Sequence, residues 1–131
     1  MPTSPTILVV EHEAAVAAAL VDVLREAGYR ASFATESLTA LAIAVTQSPD
    51  LVIADALHVL DTLDLIRALR ANLQAQHLLI LVLHGSGSQT VALVGVADAL
   101  LPKPFTLDAL RGCVAQLLRR RAREVGGLVE D

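Results

Sequence analysis

The sequence predicts an α/β domain in which five strands alternate with five helices, forming a parallel sheet covered on both faces. Two observations carry this. Continuous apolar runs such as Ile7-Leu8-Val9-Val10 and Leu78-Leu79-Ile80-Leu81-Val82-Leu83 have the length of strands buried on both sides. Between such runs, apolar residues recur at the spacing of a helix lying on a core.

The elements follow in order. After the first run, Val16, Leu20, Val23 and Leu24 stripe a helix that Gly28 stops. Arg30 to Ala34 is a weaker strand alternating around Ser32 and Phe33, and an alanine-rich helix over residues 37–46 presents Leu38, Leu41 and Val45 before Pro49. Leu51-Val52-Ile53-Ala54 is the third strand, and Leu63, Ile66, Leu69 and Arg70 mark the third helix. The fourth strand, residues 78–83, leads through Gly85-Ser86-Gly87-Ser88 to an apolar fourth helix over residues 91–96. Residues 99–101 form a short fifth strand, and Leu107, Leu110, Val114, Leu117 and Leu118 stripe the last helix.

A chain of 131 residues is long enough for its own core, and with 2% aromatic residues that core must be built from Leu, Val, Ile and Ala. No apolar stretch approaches the roughly 20 residues that span a bilayer, so no membrane partner is expected. The first residues lack a basic region followed by an apolar one, and Cys113 is the single cysteine, which together point to a reducing, cytoplasmic setting. Cys113 itself reads as a small apolar residue of the last helix. Eleven acids and five bases precede Arg111, while five arginines and three acids follow from there. Arg119-Arg120-Arg121 and Arg123 suit the carbonyl end of a last helix. Without a reading motif or interleaved aromatics, no nucleic-acid partner is expected.

Ligands of such a sheet bind beyond the carboxyl ends of its strands. There the chain places Glu11, His12 and Glu13 after the first strand, Asp55 after the third, His84 after the fourth and Lys103 after the fifth. Lys103 is the only lysine against nine arginines and stands between Pro102 and Pro104, as a compact fixed charge would. Taken singly, Asp55 is equally a turn former and Lys103 a solvated loop residue. Their joint placement on one edge is harder to obtain by accident.

On these stretches (Ile7-Leu8-Val9-Val10-Glu11-His12-Glu13, Pro49-Asp50-Leu51-Val52-Ile53-Ala54-Asp55, and Ala97-Asp98 through Lys103-Pro104-Phe105) the chain resembles the receiver domains of two-component response regulators. The resemblance covers about residues 6–121 and implies a flavodoxin-like, CheY-like doubly wound fold. It implies that Asp55 accepts a phosphoryl group from a phosphohistidine, that Lys103 and the His84 position meet the phosphoryl oxygens, and that the Lys103-Pro104 peptide is cis. It further implies Mg²⁺ held by Glu11, the His12 position, Asp55 and the Leu57 backbone carbonyl.

Several positions depart from the family pattern. His12 replaces a second acid, and imidazole suits softer ions than Mg²⁺, so Mg²⁺ binding should be weak. Glu13 should point to another face. His84 stands where a hydroxyl is usual and Leu100 where a switching aromatic is usual, and Thr62 occupies an expected glycine. A dedicated zinc site among His12, His58, His77 and His84 is not expected, since no pair has helical metal-binding spacing; a softer ion at His12, His84 and Asp55 is conceivable.

The expectation is a stand-alone receiver, since 28 residues follow Lys103 in this sequence. It would take phosphoryl groups from a histidine kinase or histidine phosphotransfer protein, act on a downstream protein, and not be an enzyme. The alternative is a pseudo-receiver that binds without phosphorylation; a flavodoxin-like enzyme or nucleotide binder is weaker, because no glycine-rich loop follows the first strand. Val91, Leu93, Val94, Val96, Leu100 and Leu101 exceed what one buried face absorbs, so residues 91–101 are expected to cover a partner, as a homodimer.

Overall fold

The computed structural model describes the backbone of residues 4–85 and 88–130, with side chains for residues 4–85 and 90–123. Five strands form one parallel sheet: β1 (Thr6–Val10), β2 (Arg30–Ala34), β3 (Leu51–Asp55), β4 (Leu79–His84) and β5 (Ala99–Pro102), in the order β2-β1-β3-β4-β5. Four α-helices connect them: α1 (Ala14–Glu26), α2 (Ser37–Gln47), α3 (Val59–Ala71) and α4 (Leu107–Glu130). The order reverses beside β1, which opens a crevice at the carboxyl ends of β1 and β3.

The period of two along each strand divides the core into two layers. Leu8, Val10, Val52, Ala54, Ile80 and Val82 face α2 and α3, while Ile7, Val9, Leu51, Ile53, Leu79, Leu81 and Leu83 face α1 and α4. Every residue of the central strands therefore has an apolar neighbour, which is why those strands read as unbroken apolar runs.

Two helix faces differ from the stripes in the sequence. α1 buries Ala17, Leu20, Val21 and Leu24 and leaves Val16 exposed; α2 buries Ala40 and Ala44 and leaves Leu38 81% exposed. Alanine lets a helix backbone approach the sheet closely, so the small residues face inward and the larger ones ride at the margin. Leu38→Ser should therefore change stability by no more than about 0.5 kcal/mol. Ala44→Leu, which adds volume at a fully buried position, should cost roughly 1–3 kcal/mol, read as a lower urea midpoint.

The fourth of the five expected helices does not form. Residues 88–93 make a 3₁₀ turn (Ser88–Leu93), and the chain then turns through Gly95 at φ +89° into β5. Of the described side chains there, Leu93 alone is fully buried, and Val91, Val94 and Val96 are exposed. One anchoring side chain, β-branched neighbours and a left-handed glycine give a helix too little to propagate on. Ser86 and Gly87 of the expected loop lie outside the described residues. The last helix instead runs longer than expected, through Glu130. No helix among the described residues is long and apolar enough to cross a membrane.

Candidate functional site

The mouth of the sheet is fixed by backbone bonds that continue the strand ladders. Glu11 N–H donates to the Ala34 carbonyl (3.1 Å), Ala56 N–H to Leu83 (2.8 Å) and Lys103 N–H to His84 (2.8 Å). These bonds set Glu11, Asp55 and Lys103 at the ends of β1, β3 and β5. The Lys103–Pro104 peptide is cis, as the resemblance implied.

Lys103 Nζ donates to Asp55 Oδ2 at 2.5 Å. The Asp55 side chain is 8% exposed and the Lys103 side chain 37%, so the pair sits at the boundary of core and solvent. Thr62, where a glycine was expected, is buried; its hydroxyl donates to the His58 carbonyl (3.3 Å) and at longer range to that of Asp55 (3.5 Å). This side chain ties the start of α3 to the end of β3.

Glu11 is the second buried acid. Its Oε1 accepts the Glu13 N–H (3.1 Å) and lies 3.4 Å from His12 Nδ1. Glu13 itself is exposed ahead of α1. Asp55 Oδ1 is sequestered from solvent and meets no fixed donor. Its neighbour is the Glu11 carboxyl, which can donate only when protonated.

The electrostatics separate the two acids. Burial pushes the Glu11 carboxyl above its ordinary value, and the adjoining Asp55 adds to the rise. Burial acts against ionised Asp55 too, but hydrogen bonds from Glu11, Lys103 and the Leu57 N–H, with the Lys103 charge, outweigh it and hold Asp55 below the usual carboxylate range. Asp55 is therefore the more acidic member of the pair. Cys113 is half-buried on α4, and desolvation raises its thiol, in keeping with an unreactive packing residue.

The remaining sequence candidates stand around this centre. The His12 and His58 rings lie with centroids 6.2 Å apart beside a cavity of about 260 Å³ whose lining includes Asp55, Leu57 and Asp61. His84 ends β4, with Nδ1 2.9 Å from the Gly85 carbonyl; among the described residues no hydrogen bond or ion pair joins its side chain to Asp55 or Lys103. Leu100 is half-buried in β5 opposite Val82 and packs on the layer under α2 and α3.

The family model for the response regulator receiver domain matches residues 7–115. The chain belongs to the response regulator receiver domain family. Curated relatives include the transcriptional regulatory protein PrrA of Mycobacterium tuberculosis, 37% identical over 121 residues, 91% of this chain and 52% of that protein. The response regulator MprA of Mycobacterium sp. (strain KMS) is 36% identical over 122 residues, 92% of this chain and 53% of that protein. The receiver thus spans about half the length of the curated relatives it matches. Among solved structures, a response regulator receiver domain from Bermanella marisrubri matches at TM-score 0.76 with 35% identity, covering 88% of this chain and 99% of that one. The receiver domain of a signal transduction histidine kinase from Syntrophus aciditrophicus matches at TM-score 0.80 with 26% identity, covering 88% of this chain and 91% of that one.

Receiver domains generally bind Mg²⁺ at the phosphorylation site. Here the Glu11 and Asp55 carboxyl groups face each other, and one oxygen, Asp55 Oδ1, has no fixed partner, an arrangement that a proton or a cation between them would satisfy. Glu11 and Asp55 therefore fit a divalent ion. Among the described residues, however, no three acidic, imidazole or thiol groups already stand in coordinating geometry.

Sequence order placed Glu11, Asp55 and Lys103 correctly at one edge. It carried no signal that His58 would meet His12, or that the Thr62 hydroxyl would reach back to the Asp55 carbonyl, because both depend on the loop after β3.

Proposed function

We propose that Asp55 accepts a phosphoryl group from a phosphohistidine on a histidine kinase or a histidine phosphotransfer protein. The observation that carries the reading is the Asp55–Lys103 pair, in which one buried carboxylate is kept ionised by a single fixed ammonium. A carboxylate oxygen of Asp55 attacks phosphorus, the P–N bond breaks, and the donor imidazole leaves with the electron pair. Asp55 becomes an acyl phosphate, whose oxygens stay within reach of Lys103, so the ammonium that held the nucleophile pairs with the product. A divalent ion held by Glu11, Asp55 and the Leu57 carbonyl would neutralise the crowded oxygens during transfer.

The output in this reading is a contact made by the receiver itself, with a downstream protein or a second copy covering Val91, Val94 and Val96. A cytoplasmic setting, with no nucleic-acid contact made by the receiver itself, is part of this reading.

Intact mass after incubation with acetyl phosphate and a divalent cation tests the assignment. One added phosphoryl group is expected on the wild type and none on Asp55→Asn. Labelling that survives Asp55→Asn would remove Asp55 as the acceptor. A wild type that stays unlabelled with every cation would favour the second reading, a pseudo-receiver that binds partners unphosphorylated. That alternative rests on His12, His84 and Leu100, which replace an acid, a hydroxyl and an aromatic at positions the family uses.

A further inference from the structure

The layer of α2 and α3 carries apolar surface that the core does not use. Because alanines of α2 face the sheet, Leu38 and Leu41 instead line a groove of about 390 Å³ between the two helices, whose α3 wall is Leu65 and Ala68. Leu38 is 81% exposed. Beyond Asp61 a second recess is lined by Leu57 and Leu60, which are 55% and 73% exposed.

The rim of the groove is acidic, with Glu36 on one wall and Asp61 and Asp64 on the other. Among the described residues, the Glu36 and Asp61 side chains have no ion-pair partner, and Asp64 meets Arg67 at 3.9 Å with both side chains exposed. Glu36 and Asp61 stand at helix starts, which suits their charge. Asp64 lies further along α3, so negative charge extends past the helix start.

The walls are two packed helices and not a sheet edge, so a third helix seats there by laying an apolar ridge along the groove. With 11 residues, α2 is about 16 Å long, which gives a docked helix roughly three turns of contact. We propose that the α2–α3 groove docks a basic amphipathic helix of a partner protein, with leucine-like anchors between Leu38 and Leu65 and lysine or arginine against Glu36, Asp61 and Asp64. A second copy of this chain is a poorer match: the arginine-bearing stretch 119–123 of α4 has no large apolar side chain to serve as an anchor. The same acids repel an anionic lipid surface. The groove shares Glu36, Ser37, Asp61 and Leu65 with the cavity beside Asp55, so the docked helix lies against the mouth of that cavity. The inference is independent of the acceptor role of Asp55 and is tested on the unphosphorylated chain.

The test is calorimetric titration of the whole chain with a synthetic helical peptide of about 14 residues, its leucines spaced i, i+3 and i+7 and flanked by arginines. Amide shifts on binding should map to residues 36–41 and 61–68. Leu38→Ser, which removes a largely exposed side chain and leaves the fold intact, should weaken binding by about 10-fold. Asp61→Asn combined with Asp64→Asn should weaken it several-fold and flatten its salt dependence. Val94→Ser, on the other exposed apolar face, should leave binding unchanged. A twin peptide with glutamate in place of arginine should not bind. No binding of the basic peptide, equal binding of its acidic twin, or a loss in Val94→Ser matching that in Leu38→Ser would overturn the proposal. Self-association in sedimentation, or adherence to phosphatidylcholine vesicles, that Leu38→Ser abolishes would overturn it too, since the groove would then belong to a second copy or a lipid surface.

Discussion

Lys103→Met is expected to destabilise the receiver by about 1–3 kcal/mol at neutral pH, and to lose most of that deficit in acid. Asp55 is held below its ordinary value near 3.8 despite burial that works the other way, and Lys103 supplies both a hydrogen bond and a charge toward that result. A depressed carboxyl contributes stability at any pH above its ordinary value and loses it as the pH falls through the lower folded value. With methionine in place, burial and the Glu11 contact remain and the compensating charge is gone. Asp55 then rises and competes with Glu11 for a proton, so the pair titrates in two coupled steps. The Lys103 side chain is 37% exposed, and solvent screening keeps the cost below that of breaking a fully buried pair. Urea unfolding of both proteins at neutral pH and near pH 3 measures it. A gap of equal size at the two values would show that Lys103 acts through packing of its stem. Following the Asp55 side-chain carbon by NMR gives the second check: its midpoint should move up in the variant.

The strands were legible because burial on both faces removes any need for polar residues, so β1, β3 and β4 stand out as unbroken apolar runs. Helix existence was nearly as plain, but helix phase was not. Reading leucine and valine as the inward stripe put Val16 and Leu38 in the core, whereas Ala17, Ala40 and Ala44 are the buried residues. An alanine carries little periodic signal, yet it decides how close a helix lies to the sheet. Residues 91–96 misled for the opposite reason: apolar character was abundant, but only Leu93 turns inward and Gly95 takes a left-handed turn.

Glu11, Asp55 and Lys103 could be found because strand order alone brings their positions to one edge. What happens between their side chains could not. The division of charge, with Glu11 raised and Asp55 lowered, depends on which carboxyl receives the lysine, and sequence adjacency does not encode that. His84 shows the limit from the other side, since it ends the expected strand yet contacts its own loop carbonyl.

The other large effect is expected at Asp98, which the sequence reading named only within a matching stretch and gave no role. Asp98 Oδ2 accepts the Ile80 N–H at 2.8 Å and a guanidinium N–H of Arg70 at 2.8 Å, and its own N–H donates to the Ile80 carbonyl at 2.9 Å. Arg70 also donates to the carbonyls of Leu78 (2.6 Å) and Gln76 (2.8 Å). One carboxylate thus joins the end of α3, the start of β4 and the approach to β5. Asp98→Ala strands the N–H of Ile80, a fully buried residue, and leaves the partly buried Arg70 without its counter-charge. The expected cost is about 2–4 kcal/mol, a fall in Tm on the order of 10 °C for a domain of this size. Asp98→Asn keeps an oxygen for the Ile80 N–H and removes only the charge, so it should retain more than half of the lost stability. The comparison separates the two contributions: equal losses for alanine and asparagine would assign the effect to the ion pairs of Asp98 with Arg70 and Arg120 and not to the backbone bond. A double-mutant cycle with Arg70→Ala then measures the coupling, expected to lie on the order of 1–2 kcal/mol because both side chains are only partly screened by solvent.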